Sequence, residues 1–449
     1  MPSCSVSRTI PAWLLATTTA CAGASAPVDQ RPDVLILLVD TLRADRVGAW
    51  GWPRDSSERL DRRVAQGVRF ARAWAPSSWT RPSVGTLLTG RLPPHLGITD
   101  EASHGLPAEL PTLAETLAAQ GYVTCGATAN PNLNARFGFD RGFQRYSDST
   151  VVFPWMQEDK RQPSTHTEHL PTGPAVYQAA LDCAEAHPND PVFLFVDVME
   201  VHEYARGPEG ILTRPDLRGH YGAPFGEYDD AVRTAADQAD AFLQRLSATS
   251  GWNNGVVVFL SDHGEGLGSH PSVPGSGGHG LVLYRSNLHV PLAFWGTAVA
   301  GLQDVPDDVG LVDVPSTVLE LTQTPALAAM DGQSLVPQMR GAPAEKRTMG
   351  AWTRFQGVDL DAVWFDDWLC VTDSTGGLLE LQPRMGDQDG SQTDQKNAHP
   401  AVLSQCTDTW QTLAQAHPWR TASMPSEPLS PPERRQLEQI GYLDGKSEP

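Results

Sequence analysis

The chain has 449 residues, with 33 Lys+Arg against 53 Asp+Glu and a formal net charge of −20. That balance excludes a protein that grips nucleic acid through basic patches, and no apolar run approaches the ~20 residues of a membrane span. Hydrophobic residues make up 40% and charged residues 19%, a globular composition long enough for one large α/β domain plus a small appendage, or for two to three average domains.

Residues 1–26 read as an export signal. Arg8 supplies the positive end, Ile10 to Ala16 begins a short apolar stretch, and Ala24-Ser25-Ala26 forms a small-x-small cleavage site. Thr18-Thr19-Ala20-Cys21 is a loose lipoprotein box, which makes Cys21 a candidate for lipid attachment. The mature chain is expected to start at Cys21 or Pro27, and either start places it outside the cytoplasm: periplasmic, on the outer membrane or secreted. The six cysteines (Cys4, Cys21, Cys125, Cys183, Cys370 and Cys406) contain no CxxC pair, so a structural zinc site is not expected. An oxidising compartment permits disulfides. Cys370 with Cys406 is the favoured pair, since both lie in the C-terminal appendage; four unpaired buried thiols are the alternative.

Val34 to Val39 is a continuous apolar run ending at Asp40, the pattern of a strand buried on both faces. A helix is expected over 111–119 and a strand over 122–127, then a helix over 175–186 and a strand over 192–196. A long amphipathic helix follows over 228–246, and a buried strand over 255–260 ends at Ser261-Asp262-His263. Strands alternating with helices predict an α/β fold with a large, mostly parallel sheet and helices on both faces. In such sheets active sites lie beyond the C-terminal strand ends, where Asp40 and Asp262-His263 both sit. The main domain is placed at 31–340. From 341 to 449 the texture shifts to short strand-like pieces over 359–372, a polar stretch over 387–396 and a terminal helix over 432–440, read as a small α+β subdomain.

A carboxylate beside an imidazole at a strand end is a partial metal site, and Asp40 is placed to complete it from a neighbouring strand. Each residue taken singly also fits a helix cap or a plain turn. Thr80, just ahead of Pro82 and a helix-like stretch, fits either an N-cap or a hydroxyl activated by the helix dipole and a metal.

Six blocks in order resemble the sulfatase family of the alkaline phosphatase superfamily: "RPDVLILLVDTLRADRVGAWG", "SSWTRPSVGTLLTGRLPPH", "LPTLAETLAAQGYVT", "FLSDHGEGLG", "GGHGLVLYRSNLHVPLAFWG" and "LVDVPSTVLELT…MDGQSLVP". The closing "LEQIGYLDG" resembles the end of bacterial members, so the likeness runs from about residue 31 to the C-terminus. It implies an alkaline-phosphatase-like fold and one or two divalent ions held by Asp40, Asp262 and His263 with the Thr80 hydroxyl. One imidazole among the ligands favours Mn²⁺, Zn²⁺ or Mg²⁺ over Ca²⁺.

The same likeness puts Thr80 in the place of the nucleophile, where the family has Cys or Ser converted to formylglycine. Oxidising the Thr carbinol carbon would give a ketone, so formylglycine is not expected. Val84 stands where the family has a supporting Arg, and Ala129-Asn130-Pro131-Asn132 replaces a basic Gly-Lys-Trp-His block, leaving Asn130 as the substrate-binding candidate. His202 matches a substrate-contacting His, and His279 stands where many members have Lys; both are candidate acids for the leaving oxygen. His104, His270 and His289 have no such support. The expected activity is metal-dependent hydrolysis of sulfate, phosphate or phosphonate esters, with phospho-ester cleavage through a covalent Thr80 intermediate favoured. A phosphotransferase acting on a cell-surface glycan or lipid, and a non-catalytic binding protein, are the alternatives. The specificity loops, expected around 148–172 and 204–226, carry no informative motif.

Overall fold

The computed structural model describes residues 31–100, 104–149, 173–204, 226–249, 252, 255–268, 277–301, 303–385, 394–420, 429–439 and 442. The expected export signal, nearly all of both specificity loops and most of the polar stretch 387–396 lie outside these residues.

β1 (Val34–Val39) is six apolar residues, all buried. After α1 (Glu58–Val64), β2 (Val68–Trp74) leads into α2 (Thr80–Thr89) and the short α3 (Pro93–Leu96). α4 (Leu113–Ala119) starts on a capping box: the Thr112 hydroxyl accepts from the Glu115 N–H while the Glu115 carboxylate accepts from the Thr112 N–H. Then come β3 (Val123–Thr128), β4 (Arg145–Ser147), α5 (Gly173–Ala186), β5 (Val192–Val198), α6 (Gly226–Ala248) and β6 (Val256–Leu260). β7 (His289–Val290), β8 (Leu292–Gly296), β9 (Asp304–Gly310) and α7 (Asp313–Leu321) complete the main domain.

The nine strands form one sheet in the order β4-β3-β5-β1-β6-β8-β2-β7, with β9 on β2. Pairing is parallel from β4 across to β6 and between β2 and β9; β8 runs antiparallel to both neighbours, as does β7 to β2. The expected mostly parallel sheet is therefore present, with a mixed flank. That flank is hard to see in the sequence because β9 carries three Asp and a Pro, tolerable only towards a sheet edge.

The C-terminal part forms a separate four-stranded antiparallel sheet: β10 (Met349–Phe355), β11 (Val358–Phe365), β12 (Trp368–Asp373) and β13 (Leu378–Pro383). α8 (Pro400–Ala416) packs on it, a helix the sequence does not announce because only Cys406 and Leu413 are buried along its 17 residues. Cys370 and Cys406 are disulfide-bonded, joining β12 to α8. A second bridge, Cys125–Cys183, joins β3 to α5. The terminal helix α9 (Pro431–Gln439) reaches back to the main domain, where Glu433 pairs with Arg136 at 2.7 Å and Gln436 accepts from Ser149 at 3.2 Å.

Candidate metal and nucleophile site

Leu38 of β1 lies opposite Leu260 of β6 in parallel register, so Asp40 and Asp262, each two residues further on, leave adjacent strand ends side by side. The backbone turns sharply there. Thr41 sits at φ 59°, a strained conformation for a β-branched residue. It is held by the Tyr228 hydroxyl donating to the Thr41 carbonyl at 2.7 Å.

Carboxylate and imidazole atoms of Asp40, Asp262 and His263 all lie within 4.8 Å of one another, and all three residues are fully buried. Oδ1 of Asp40 and Oδ2 of Asp262 have no hydrogen-bond partner among the described residues. Buried carboxylate oxygens left open in this way fit a cation rather than a closed protein network. His263 Nδ1 is 2.9 Å from the Gly264 carbonyl, which fixes Nδ1 as the protonated nitrogen and leaves Nε2 as a lone-pair donor. Nε2 is 3.4 Å from Asp262 Oδ2 and 3.7 Å from Asp40 Oδ1.

The electrostatics agree. Burial, then the charges of Asp262 and Asp197, push the Asp40 carboxyl well above its usual range. Burial raises Asp262 to about 6 against three backbone hydrogen bonds. It raises Asp197, on β5, to about 8 against a hydrogen bond from Thr128. Burial also holds His263 well below its ordinary value, hence neutral. A dense group of buried carboxyls with a neutral imidazole fits a divalent ion through two hard oxygens and one nitrogen.

Thr80 is the first residue of α2, and the N-cap position is taken by Trp79 without a side-chain cap. The Thr80 hydroxyl therefore does not cap its helix but points at the cluster. Its oxygen lies 3.0 Å from the Tyr442 hydroxyl, 3.2 Å from the donating amide nitrogen of Asn130 and 3.4 Å from His263 Nε2. Asn130 also donates to Asp40 Oδ2 at 2.6 Å, so it bridges nucleophile candidate and metal-ligand candidate. Val84, at the position of the supporting Arg, is buried in the hydrophobic core.

His279 and His202 both reach this centre. The His279 ring is 4.8 Å from that of His263 and 5.0 Å from that of His202. Glu265 holds His279 Nδ1 at 3.1 Å and raises its pKa, overcoming the opposing effect of burial. Gly280, at φ 85°, donates to the Ser78 carbonyl at 2.8 Å and so ties the His279 loop to the Thr80 loop; a Cβ there would meet the Phe355 ring at 2.6 Å. His202 Nδ1 is 2.8 Å from Glu203 Oε1, while its Nε2 is buried with no hydrogen-bond partner among the described residues. His104 and His289, without support in the sequence, lie in structural roles: the His104 carbonyl accepts from Arg81, and His289 bonds the Ala71 carbonyl. His270 lies outside the described residues.

A family model described as Sulfatase matches residues 32–324. The chain belongs to the sulfatase family. Human N-acetylgalactosamine-6-sulfatase is 29% identical over 357 residues, spanning 69% of this chain and 66% of that protein, so the chain covers just under two thirds of that relative's length. Among solved structures, a putative sulfatase from Bacteroides thetaiotaomicron superposes with TM-score 0.66 at 19% identity, covering 91% of this chain and 96% of the other. A phosphonate monoester hydrolase from Silicibacter pomeroyi superposes equally well, TM-score 0.66 at 17% identity over 88% and 97% of the two chains. Sulfatases generally use a divalent metal, and the Asp40–Asp262–His263 cluster is the buried candidate set for one.

Two contributors to this sulfatase-family site escaped the sequence reading. Glu265 was visible in Asp262-His263-Gly264-Glu265, but nothing in the spacing says that it holds His279. Tyr442 was visible only as part of the terminal block "LEQIGYLDG". It is 362 residues from Thr80, and its ring packs among Trp79, Phe355 and His279 at centroid distances of 6.0, 5.4 and 5.8 Å. Burial, then the Asp40 charge, pushes its phenol well above the usual range, so it remains a hydrogen-bond donor.

Proposed function

We propose that the protein is a metal-dependent hydrolase of anionic esters, with phosphate or phosphonate monoesters favoured over sulfate esters, and that Thr80 is its nucleophile. The observation that carries this reading is the Thr80 hydroxyl, free of any helix-capping role and aimed at the buried acidic cluster, in a position where formylglycine cannot form. The phosphonate monoester hydrolase among the structural neighbours supports a phospho-ester substrate through fold alone.

Asp40, Asp262 and His263 would hold the ion, which supplies positive charge to lower the pKa of a neighbouring hydroxyl and to polarise a substrate oxygen. Thr80 Oγ1 forms a bond to phosphorus as the bond to the leaving oxygen breaks, and the Thr80 proton passes to solvent. His279, with Nδ1 taken by Glu265, donates from Nε2 to the departing alcohol. Water then cleaves the Thr80 ester and restores the hydroxyl, while solvent returns a proton to His279, so proton release and uptake balance over the cycle. The Asn130 amide and the Tyr442 hydroxyl are the hydrogen-bond donors available to the transferring oxygens. They stand in for the Arg that Val84 replaces.

Export through the 1–26 signal, with lipid on Cys21 as one variant, belongs to the same reading, because disulfides at Cys125–Cys183 and Cys370–Cys406 suit an oxidising compartment. The reading is tested by steady-state assay of the metal-loaded protein on a matched set of aryl phosphate, phosphonate and sulfate esters. Quenched samples are searched by mass spectrometry for a phosphorylated peptide containing Thr80. Turnover of the phosphorus esters with a Thr80 adduct is expected. Sulfate-only turnover without an adduct would overturn it.

A further inference from the structure

A second cluster of metal-ligating side chains lies away from the Thr80 site, on the seam between the main domain and the C-terminal sheet. His95 sits on α3, Asp331 in the loop after α7, and His417 at the C-terminal end of α8. One ligand atom from each lies within 4.8 Å of the others. His95 Nδ1 is 2.7 Å from Asp331 Oδ2, and the His95 and His417 ring centroids are 5.0 Å apart. From this juxtaposition we propose that His95, Asp331 and His417 form a second metal site, for a borderline divalent transition ion such as Zn²⁺, that clasps α8 to the main domain.

Three observations support it. The first is anchoring. Asp331 is fixed on both sides: its N–H donates to the Gly90 carbonyl, and its Oδ2 accepts from the Leu92 N–H, each at 2.8 Å. His417 is anchored through its N–H to the Leu413 carbonyl at 2.9 Å, and three residues on the Arg420 N–H donates to the Pro94 carbonyl of α3 at 2.8 Å. The second is an open donor. His417 Nδ1 is buried and has no hydrogen-bond partner among the described residues. The third is space: a cavity of about 60 Å³ bounded in part by Asp331, His417 and Leu92 leaves room for water to complete the coordination.

Two imidazoles with one carboxylate suit Zn²⁺, Co²⁺ or Ni²⁺ rather than Ca²⁺ or Mg²⁺. A tetrahedral ion with ~2.0–2.1 Å bonds needs its ligand atoms roughly 3.4 Å apart, so the 2.7 Å contact of His95 Nδ1 with Asp331 Oδ2 opens and the wider separations, up to 4.8 Å, close, a rearrangement on the order of 1 Å. One group opposes it: Arg91 Nε lies 3.4 Å from Asp331 Oδ2 and shares the carboxylate. That predicts modest affinity and gives the test an independent lever.

The experiment uses the full chain carrying Asp262→Asn and His263→Ala, which empties the first cluster and makes the outcome independent of the chemistry at Thr80. After EDTA and dialysis, this protein is titrated with Zn²⁺, and separately with Co²⁺ followed by visible absorption. One ion per chain, Co²⁺ bands of a nitrogen- and oxygen-ligated site, and a Zn²⁺-dependent rise in Tm are expected. Adding His417→Gln should abolish uptake. Adding Arg91→Gln, which leaves all three ligands in place, should tighten Zn²⁺ binding about tenfold. If His417→Gln fails to fold, the Arg91→Gln protein still decides. No ion bound by the parent and Arg91→Gln proteins, or equal uptake with and without His417, would overturn the proposal.

Discussion

The two clusters are built from the same kinds of side chain on opposite plans. Asp40, Asp262 and His263 leave the ends of adjacent parallel strands, so the β1–β6 register alone puts them together. They are fully buried, and Asp40 Oδ1 and Asp262 Oδ2 have no hydrogen-bond partner among the described residues. His95, Asp331 and His417 come from a four-residue helix, a loop and a helix end, are partly buried rather than fully buried, and already have Arg91 beside the carboxylate. Charge crowded by burial demands an ion; charge shared with an arginine only admits one. The first arrangement suits chemistry and the second suits a clasp, because catalysis needs a poised, water-excluded charge whereas a clasp needs only reversible ligands.

The largest expected effect separates the clusters most sharply. Thr80→Ala should lower kcat by at least about three powers of ten, since binding and electrostatics cannot supply the lost covalent step. It should leave metal content at both clusters unchanged by elemental analysis. Thr80→Ser should keep measurable turnover. If the Ala variant turned over at near wild-type rate, the hydroxyl would be reduced to a bystander and water would have to be the attacker.

Next in size is His279→Gln, with an expected loss of about a hundredfold, the usual worth of a positioned proton donor. The loss should shrink for p-nitrophenyl esters, whose leaving group needs little protonation, and grow for alkyl esters. The pH profile gives the sign. Against the lowering effect of burial, Glu265 raises the His279 pKa above the ordinary 6.5, so the acid form persists to higher pH than in a free imidazole and the wild-type rate should fall as pH climbs through the raised value. That alkaline limb should vanish in the Gln variant. An unchanged limb would assign it to another group.

Metal removal should move stability rather than rate alone. In the metal-free protein, Asp262 titrates at about 6 and Asp197 at about 8, both above the 3.8 of an exposed carboxyl. Groups with raised folded-state values contribute stability that is full below about pH 4 and is lost as pH rises through 6 and then 8. The EDTA-treated protein should therefore show a lower Tm at pH 8 than at pH 5, and a divalent ion should erase much of that difference. Metal affinity should weaken below about pH 6, where protons compete for Asp262. A Tm flat with pH in the metal-free protein would contradict the crowding of carboxyls at this cluster.

How much of this was legible in the sequence follows from how each part is built. Buried parallel strands announce themselves as apolar runs, so β1, β5 and β6 and the polar residues at their ends, Asp40 and Asp262-His263, could be read directly. The capping box at Thr112 likewise marks its helix. β9, with its Asp-rich edge, and α8, with two buried residues in 17, carry too little pattern to be seen. The same division runs through the site. Thr80 and His279 came from blocks that resemble a family, Asn130 and His202 from single positions compared with it, and the structure brings all four to one centre. Glu265 as the partner of His279, and Asp331 with His417, depend on how loops pack, which no local spacing encodes.

Tyr442 is the smallest predicted effect and the sharpest test of how the tail joins the site. Its phenol stays protonated and lies 3.0 Å from Thr80 Oγ1, so it can steady the hydroxyl or an anionic oxygen that develops beside it. Tyr442→Phe removes one hydrogen bond and keeps the ring that packs on Trp79, Phe355 and His279. A bond to a developing charge is worth about 1.5–3 kcal/mol, roughly ten- to a hundredfold in rate; a neutral one only about 0.5–1.5 kcal/mol. The loss should therefore fall in kcat, near tenfold, with KM little changed and Tm within about a degree. Tyr442→Ala removes the ring as well and should raise KM too, because Trp79 and His279 lose a packing partner. If Tyr442→Phe raised kcat, the tyrosine would instead be a plug that substrate must displace, and the tail would regulate access to Thr80 rather than assist it.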